Sequence, residues 1–156
     1  MDVDEDSAKV TFPPPFVYLG FLLIGLVADR VMPWSLDLPP LVRAALAIPF
    51  LIVGAGLPMA ANGLFRRAGT EVKPWKSVSA IVDKGVYAFT RNPMYLGMAL
   101  FYIGMALTFE SLGALFLLPV VIFVIRTQVV AREERYLEAK FGEAYRAYKV
   151  RVRRWL

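Results

Sequence analysis

The sequence predicts an all-α fold: a polytopic membrane protein of about four transmembrane helices, ending in a tight helical hairpin and an amphipathic C-terminal helix. Three observations lead there. Hydrophobic residues make up 58% of the 156-residue chain and mean hydropathy is +0.53, whereas soluble domains average about 45–50% apolar. Four apolar segments each approach the roughly 17–25 residues that cross a bilayer. Once those segments are subtracted, too few residues remain for a separate soluble nucleotide-binding domain. Any chemistry therefore belongs to the membrane helices and their flanks.

Residues 1–15, "MDVDEDSAKVTFPPP", are acidic and close on three prolines, the opposite of the basic start of a signal peptide. They are expected to form a polar tail, with residues 16–156 as one domain. The first apolar segment covers about residues 16–32 and carries Asp29 and Arg30 near its far end. The second, about 41–64, contains Pro49 and Pro58, each of which removes a backbone hydrogen bond and predicts a kink. A polar connection over 65–92 leads to the third segment, 93–109, which is short for a full crossing unless it stops inside the protein or tilts little. "TFESLG" leaves almost no loop before the fourth, so segments three and four are expected as an antiparallel hairpin. From about residue 112 the chain stays apolar to Ile125 and runs on without a breaker into "RTQVVAREERYLEAKFGEAYRAYKV". That pattern predicts one long helix leaving the bilayer, or a bend at its surface.

Lysine and arginine set the orientation. Arg66, Arg67, Lys73, Lys76, Lys84 and Arg91 lie between the second and third segments, and eight more basic residues follow residue 131, while the opposite side has Arg30 and Arg43. Both termini are expected in the cytoplasm, of what reads as a prokaryotic inner membrane. The net charge of +5 flanks apolar segments without forming a basic domain with stacking aromatics, so nucleic acid is not an expected partner and the lipid bilayer is. The chain has neither histidine nor cysteine, which excludes disulfides, thiol catalysis and the commonest general base and metal ligand. No metal is expected.

The stretch "TRNPMYLG" at 90–97 sets a charge, an amide, a proline and a tyrosine against an apolar run. The residue before a proline is pushed out of the α region and proline suits the first helical position, so Asn92 reads as an N-cap and Pro93 as N1. The first turn then offers free N–H groups to a carboxylate or phosphate; alternatively the pair merely caps a membrane helix while Arg91 snorkels to the headgroups. Further on, Val130, Leu137, Phe141, Ala144, Tyr145 and Tyr148 share one helical face, opposite Arg132, Arg135 and Arg146. Glu133 and Glu134 project among the apolar residues, where carboxylates are costly without a cation or donor. Arg126, seven residues before Glu133, is one candidate partner, which would make a structural ion pair; the other reading is a pocket awaiting a positively charged ligand group. The connection over 65–92 contains Val78, Ile81, Val82, Val86, Tyr87 and Phe89 and is expected to fold back as a partial lid, turning at Gly69 and Gly85. Tyr87 and Phe89 also fit the interfacial aromatic belt.

"SAIVDKGVYAFTRNPMYLG", a hydrophobic hairpin, then "REERYLEAKFGEAYRAYKVRVRRW" resembles the isoprenylcysteine carboxyl methyltransferase family and its phospholipid methyltransferase relatives. The resemblance covers roughly residues 62–155; the first two segments match only in general character. It implies binding of S-adenosylmethionine at the membrane boundary, with contacts carried over to Ser79, Ala80, Ile81, Val82, Tyr87, Asn92, Pro93, Met94, Tyr95 and Glu133. Two positions depart from the family. Asn92 stands where many members have histidine and cannot ionise, so it transfers no proton; Val129 stands where eukaryotic members place a substrate-binding arginine, for which Arg126 is the candidate substitute.

In that reading Glu133 pairs with the ligand's amino group, the helix start at Asn92 and Pro93 receives its carboxylate, and Tyr87 or Tyr95 lies near its sulfonium. Methyl transfer needs alignment and exclusion of water more than a strong base. A carboxylate acceptor is already nucleophilic, whereas an amine would need a base, for which Glu134 is the nominee; Arg91 and Arg126 complete the candidate catalytic set. The expected function is therefore an integral membrane S-adenosylmethionine-dependent methyltransferase acting on a lipid-like or small apolar acceptor. The alternatives are an NADPH-dependent membrane reductase related to sterol reductases, with a phosphate at the same helix start beside Arg91, and a non-catalytic membrane scaffold.

Overall fold

The computed structural model describes residues 4–32 and 35–156; Met1 to Val3 of the expected tail, and Pro33 and Trp34, lie outside the described residues. Helix α1 (Pro14–Val31) and helix α2 (Pro40–Arg67) both begin at prolines whose fixed φ suits a first helical turn. Helix α3 covers Pro93–Thr108 and α4 covers Leu112–Val124. A π-helical stretch, Ile125–Val130, joins α4 to α5 (Ala131–Phe141) without a break, and α6 (Glu143–Arg151) follows. The connection between α2 and α3 holds a single 3-10 turn, Gly85–Ala88, entered at Gly85 with φ of +60°, a value that glycine adopts without penalty. No strand occurs among the described residues.

Three helical stretches, α1, α2 and Leu112–Phe141, are long and apolar enough to cross a membrane, while α3 is shorter. Their outward faces carry Phe16, Ile24, Val27, Ile52, Met59, Phe116 and Phe123, all exposed. So many large apolar side chains in the open belong in hydrocarbon. Helix α2 continues through both Pro49 and Pro58.

α3 and α4 are joined by the expected short turn, in which Glu110 takes φ of +55°, yet each packs chiefly on an earlier helix: α3 on α2, and α4 on α1. Small residues decide these partners. A Cβ at Gly54 would stand 2.4 Å from the backbone nitrogen of Phe101, and one at Gly97 would stand 2.4 Å from Cδ of Pro58. At the second seam a Cβ on Gly25 would lie 2.4 Å from the Ala114 backbone. In hydrocarbon, where apolar burial gives helices no drive to associate, such close backbone approach supplies the packing.

The two pairs are tied at the end away from the termini. Ser111 is the N-cap of α4: its Oγ accepts from the Ala114 N–H at 3.0 Å and donates to the Asp29 carboxylate, which also accepts from the Gly113 N–H at 2.9 Å. Glu110 accepts from the Leu38 N–H at 3.2 Å and pairs with Arg43 at 3.0 Å. Since Ser111 is buried, Ser111→Ala is expected to remove about 1 kcal/mol, read as a lower unfolding midpoint in detergent; an unchanged midpoint would show that the cap contributes nothing.

At the other end the chain termini meet. Asp4 to Val10, part of the stretch expected as a polar tail, lies against the connection and α5, with Ala8 and Val10 buried. The face expected to run from Val130 to Tyr148 holds for Val130, Tyr145 and Tyr148, which are buried, while Ala144 is exposed. Gly142, with φ of +54° and ψ of −123°, ends α5 and restarts the helix, so a single 100° progression cannot extend across it.

Candidate active site

The site sits at the end where the N-terminal stretch and the C-terminal helix gather, in a pocket of about 810 Å³ counted together with its open mouth. Its apolar wall is the connection, through Val78, Ala80, Ile81 and Val82, opposite Leu137 of α5. Tyr87, Tyr145 and Tyr148 close one side; the Tyr148 hydroxyl donates to the Tyr87 carbonyl at 2.7 Å, and Phe65 meets the Tyr87 ring edge-on at 5.4 Å. Burial holds the Tyr87 and Tyr145 hydroxyls well above their usual range. Phe89, in contrast, is exposed as a belt residue would be.

The start of α3 forms the floor with Asn92, Met94 and Tyr95. Asn92 is the N-cap by position, but its side chain makes no cap hydrogen bond. Its Nδ2 donates instead to the Arg154 carbonyl at 3.0 Å, which also accepts from Thr90 Oγ1 at 3.0 Å, and the Arg91 N–H donates to the Arg153 carbonyl at 2.9 Å. The C-terminal segment thus holds "TRN" in place. The amide that sequence reasoning assigned to the helix is occupied elsewhere, and the N–H groups of the first turn receive nothing from it.

Both glutamates of α5 line this same pocket, and they differ sharply. Glu134 is buried and doubly clamped: Oε1 accepts from Arg91 at 2.9 Å and from Arg154 Nε at 3.0 Å, and Oε2 pairs with Arg154 Nη2. Arg91 also donates to the Lys149 carbonyl at 3.3 Å. Glu133 is only half-buried by surface yet closely ringed by protein, and its Oε1 accepts from the Tyr95 hydroxyl at 2.6 Å. Among the described residues no cation pairs with it and no donor reaches Oε2. A carboxylate that lines a pocket and is paired with no cation is suited to a ligand that brings one.

Among the sequence-derived candidates, Ala80, Ile81, Val82, Tyr87, Arg91, Asn92, Met94, Tyr95, Glu133 and Glu134 line the pocket. Pro93 is buried beneath it in the first turn of α3. Ser79 faces outward and is exposed, its N–H donating to Thr70 Oγ1 at 2.8 Å. Arg126 is exposed and outside the pocket, and the partner Glu133 takes is Tyr95 instead. The π stretch lies between the two positions; its wider turn inserts about one residue of phase, roughly 100°, so seven residues no longer return to the same side. Val129 is fully buried in the apolar core.

Sequence reasoning missed the clamps at either terminus. "RVRRW" gave Arg154 no signal beyond a basic tail, because its role depends on Gly142 turning α6 back toward α3. Nor did "DVDED" reveal where its acids go: Asp4 accepts from Lys76 Nζ at 3.1 Å and from the Ser77 N–H at 3.0 Å, and Asp6 accepts from Ser77 Oγ at 2.9 Å and Lys140 Nζ at 2.5 Å.

Residues 42–144 match the family model described as phospholipid methyltransferase. The chain is 44% identical over 63 residues, 40% of its own length and all of the relative's, to an uncharacterized protein of Haemophilus influenzae. It is 29% identical over 72 residues to protein-S-isoprenylcysteine O-methyltransferase of Schizosaccharomyces pombe, a match covering 46% of this chain and 30% of that enzyme. No solved structure matches.

Proposed function

The chain belongs to the phospholipid methyltransferase family, and from that premise we propose that it transfers a methyl group from S-adenosylmethionine to a lipid-like or small apolar acceptor at the membrane boundary. The observation that carries the reading is Glu133: a carboxylate lining the pocket, bonded to the Tyr95 hydroxyl and paired with no cation among the described residues, while Arg91 of the same lining is taken by Glu134. S-adenosylmethionine, when bound, supplies an electrophilic methyl group on a sulfonium.

In this reading Glu133 holds the cofactor's ammonium, oriented by Tyr95, and the N–H groups of Met94 and Tyr95, in the first turn that Pro93 opens, receive its carboxylate. Ala80, Ile81, Val82 and Tyr87 enclose the remainder and exclude water, and Ser79, exposed and outside the pocket, takes no part. Arg91 and Glu134 act as positioning residues. Both Glu134 oxygens are engaged by guanidinium groups, an arrangement poorly suited to accepting a proton. This favours an acceptor that arrives nucleophilic, such as a carboxylate, over an amine requiring a base. Arg126, exposed on the helix that leaves the membrane, is assigned to an anionic acceptor rather than to the cofactor. The lysine and arginine bias supports a cytoplasmic pocket and termini.

A binding titration of the purified protein with S-adenosylmethionine, S-adenosylhomocysteine and NADPH tests the assignment. Saturable S-adenosylhomocysteine binding, weakened about 10–100-fold in Glu133→Gln with the fold retained, is the expected result, from the loss of one charge-assisted contact. NADPH binding alone would replace the reading with a reductase, and no binding to any of the three with a scaffold.

A further inference from the structure

The N-terminal strap and the pocket it borders share a set of contacts that the cofactor reading does not use. Ala8 lines the pocket and Val10 is fully buried beyond it, so the strap is anchored at its inner end. Its outer end is held by polar contacts alone. The Asp4 N–H donates to the Trp75 carbonyl at 3.0 Å, and the Asp4 carboxylate takes Lys76 and the Ser77 N–H. Asp6 joins Ser77 to Lys140 across from the connection to α5, while the Tyr136 hydroxyl donates to the Asp6 carbonyl at 3.1 Å. These groups are partly solvent-accessible, from 24% of the Lys140 side chain to 62% of that of Asp6.

We infer that residues Asp4 to Ala8 form a hinged strap over the aqueous mouth of the pocket, latched by Asp4 and Asp6 onto Lys76, Ser77 and Lys140, and that its release admits and discharges the cofactor. The geometry fits that role. Latch residues come from three separate segments, the strap, the connection and α5; the connection and α5 stay joined without the strap, through Val78 N–H to the Tyr136 hydroxyl at 3.1 Å and Lys140 Nζ to Ser77 Oγ at 2.8 Å, so release uncovers the pocket while its walls hold. Its contacts are ionic and partly exposed, hence individually weak and screened by salt, while the buried Val10 keeps the strap attached when the latch is open. As a cover over the pocket the strap stands on geometry alone; as a gate for S-adenosylmethionine it rests on the function proposed above.

The cysteine-free chain permits a direct test. Ala80→Cys puts one thiol on the pocket wall, and its modification by a charged, membrane-impermeant maleimide is timed in the detergent-purified full-length protein. Adding Asp4→Asn with Asp6→Asn should speed labelling by about tenfold, the order expected from losing two partly exposed ion pairs. With the latch intact, raising NaCl from about 0.05 to 0.5 M should accelerate labelling several-fold; this needs no latch substitution and so survives any folding defect. Labelling rates that change less than twofold in both experiments would overturn the strap. Release of S-adenosylhomocysteine, followed by stopped flow, should quicken in parallel with labelling. Faster labelling with unaltered release would overturn the gate, and no S-adenosylhomocysteine binding by the unsubstituted protein would overturn both the gate and the cofactor assignment.

Discussion

Glu134→Ala is expected to destabilise the folded protein by about 3–5 kcal/mol, because it removes the shared partner of two guanidinium groups and leaves one of them buried without a counter-charge. Arg91 exposes only 9% of its side chain, and its Nε already lies buried without a hydrogen-bond partner. Losing Glu134 would strand the rest of that charge. Arg154 is 32% exposed at its side chain and can turn toward water, so Arg154→Ala should cost less and leave the Arg91–Glu134 pair in place. Thermal or denaturant unfolding in detergent, with circular dichroism to establish that helix content is unchanged beforehand, reads this order directly. Equal midpoints for Glu134→Ala and the unsubstituted protein would mean that the clamp holds nothing together.

Gly54→Val should be comparably damaging for a different reason. Even the first added carbon would stand 2.4 Å from the Phe101 nitrogen and 2.6 Å from its Cα, both backbone atoms, so no rotamer change relieves the clash. α2 and α3 would have to separate along a seam built on glycines, at a cost of about 1–3 kcal/mol or more. Gly56, two residues away, has open space where its Cβ would be, and Gly56→Ala serves as the matched control. Folded yield and unfolding midpoint should drop for Gly54→Val alone; a matching drop in Gly56→Ala would point to general helix disturbance instead of the seam.

Much of the molecule is legible in the sequence because each signal is local. Apolar runs, the prolines that open α1, α2 and α3 and the absence of a loop in "TFESLG" locate the membrane helices without knowledge of their partners. Glu133 and Glu134 announce themselves by interrupting an apolar face. What stays hidden depends on a phase or on a distant segment. The core positions of α4, Ala114, Val121 and Ile125, and those of the following helix, Val130 and Glu134, are out of step by one residue of a 3.6 period; the π stretch absorbs the difference. Without seeing that slip, Arg126 and Glu133 look like neighbours. The Asn92 carboxamide is hidden likewise, since a chain read locally offers it to its own helix and only the folded tail brings the Arg154 carbonyl within reach.

The length of α3 has one more consequence. Its 16 residues reach about 24 Å at 1.5 Å each, while bilayer hydrocarbon is about 30 Å thick. That hydrophobic mismatch of roughly 6 Å draws the lipids around α3 thinner or sinks its polar start below their headgroups. In a helix that crosses the bilayer, the second adjustment carries Asn92 and Tyr95 to the depth of the upper acyl chains. An acceptor anchored in the leaflet can present its reactive group there while its tail stays in oil.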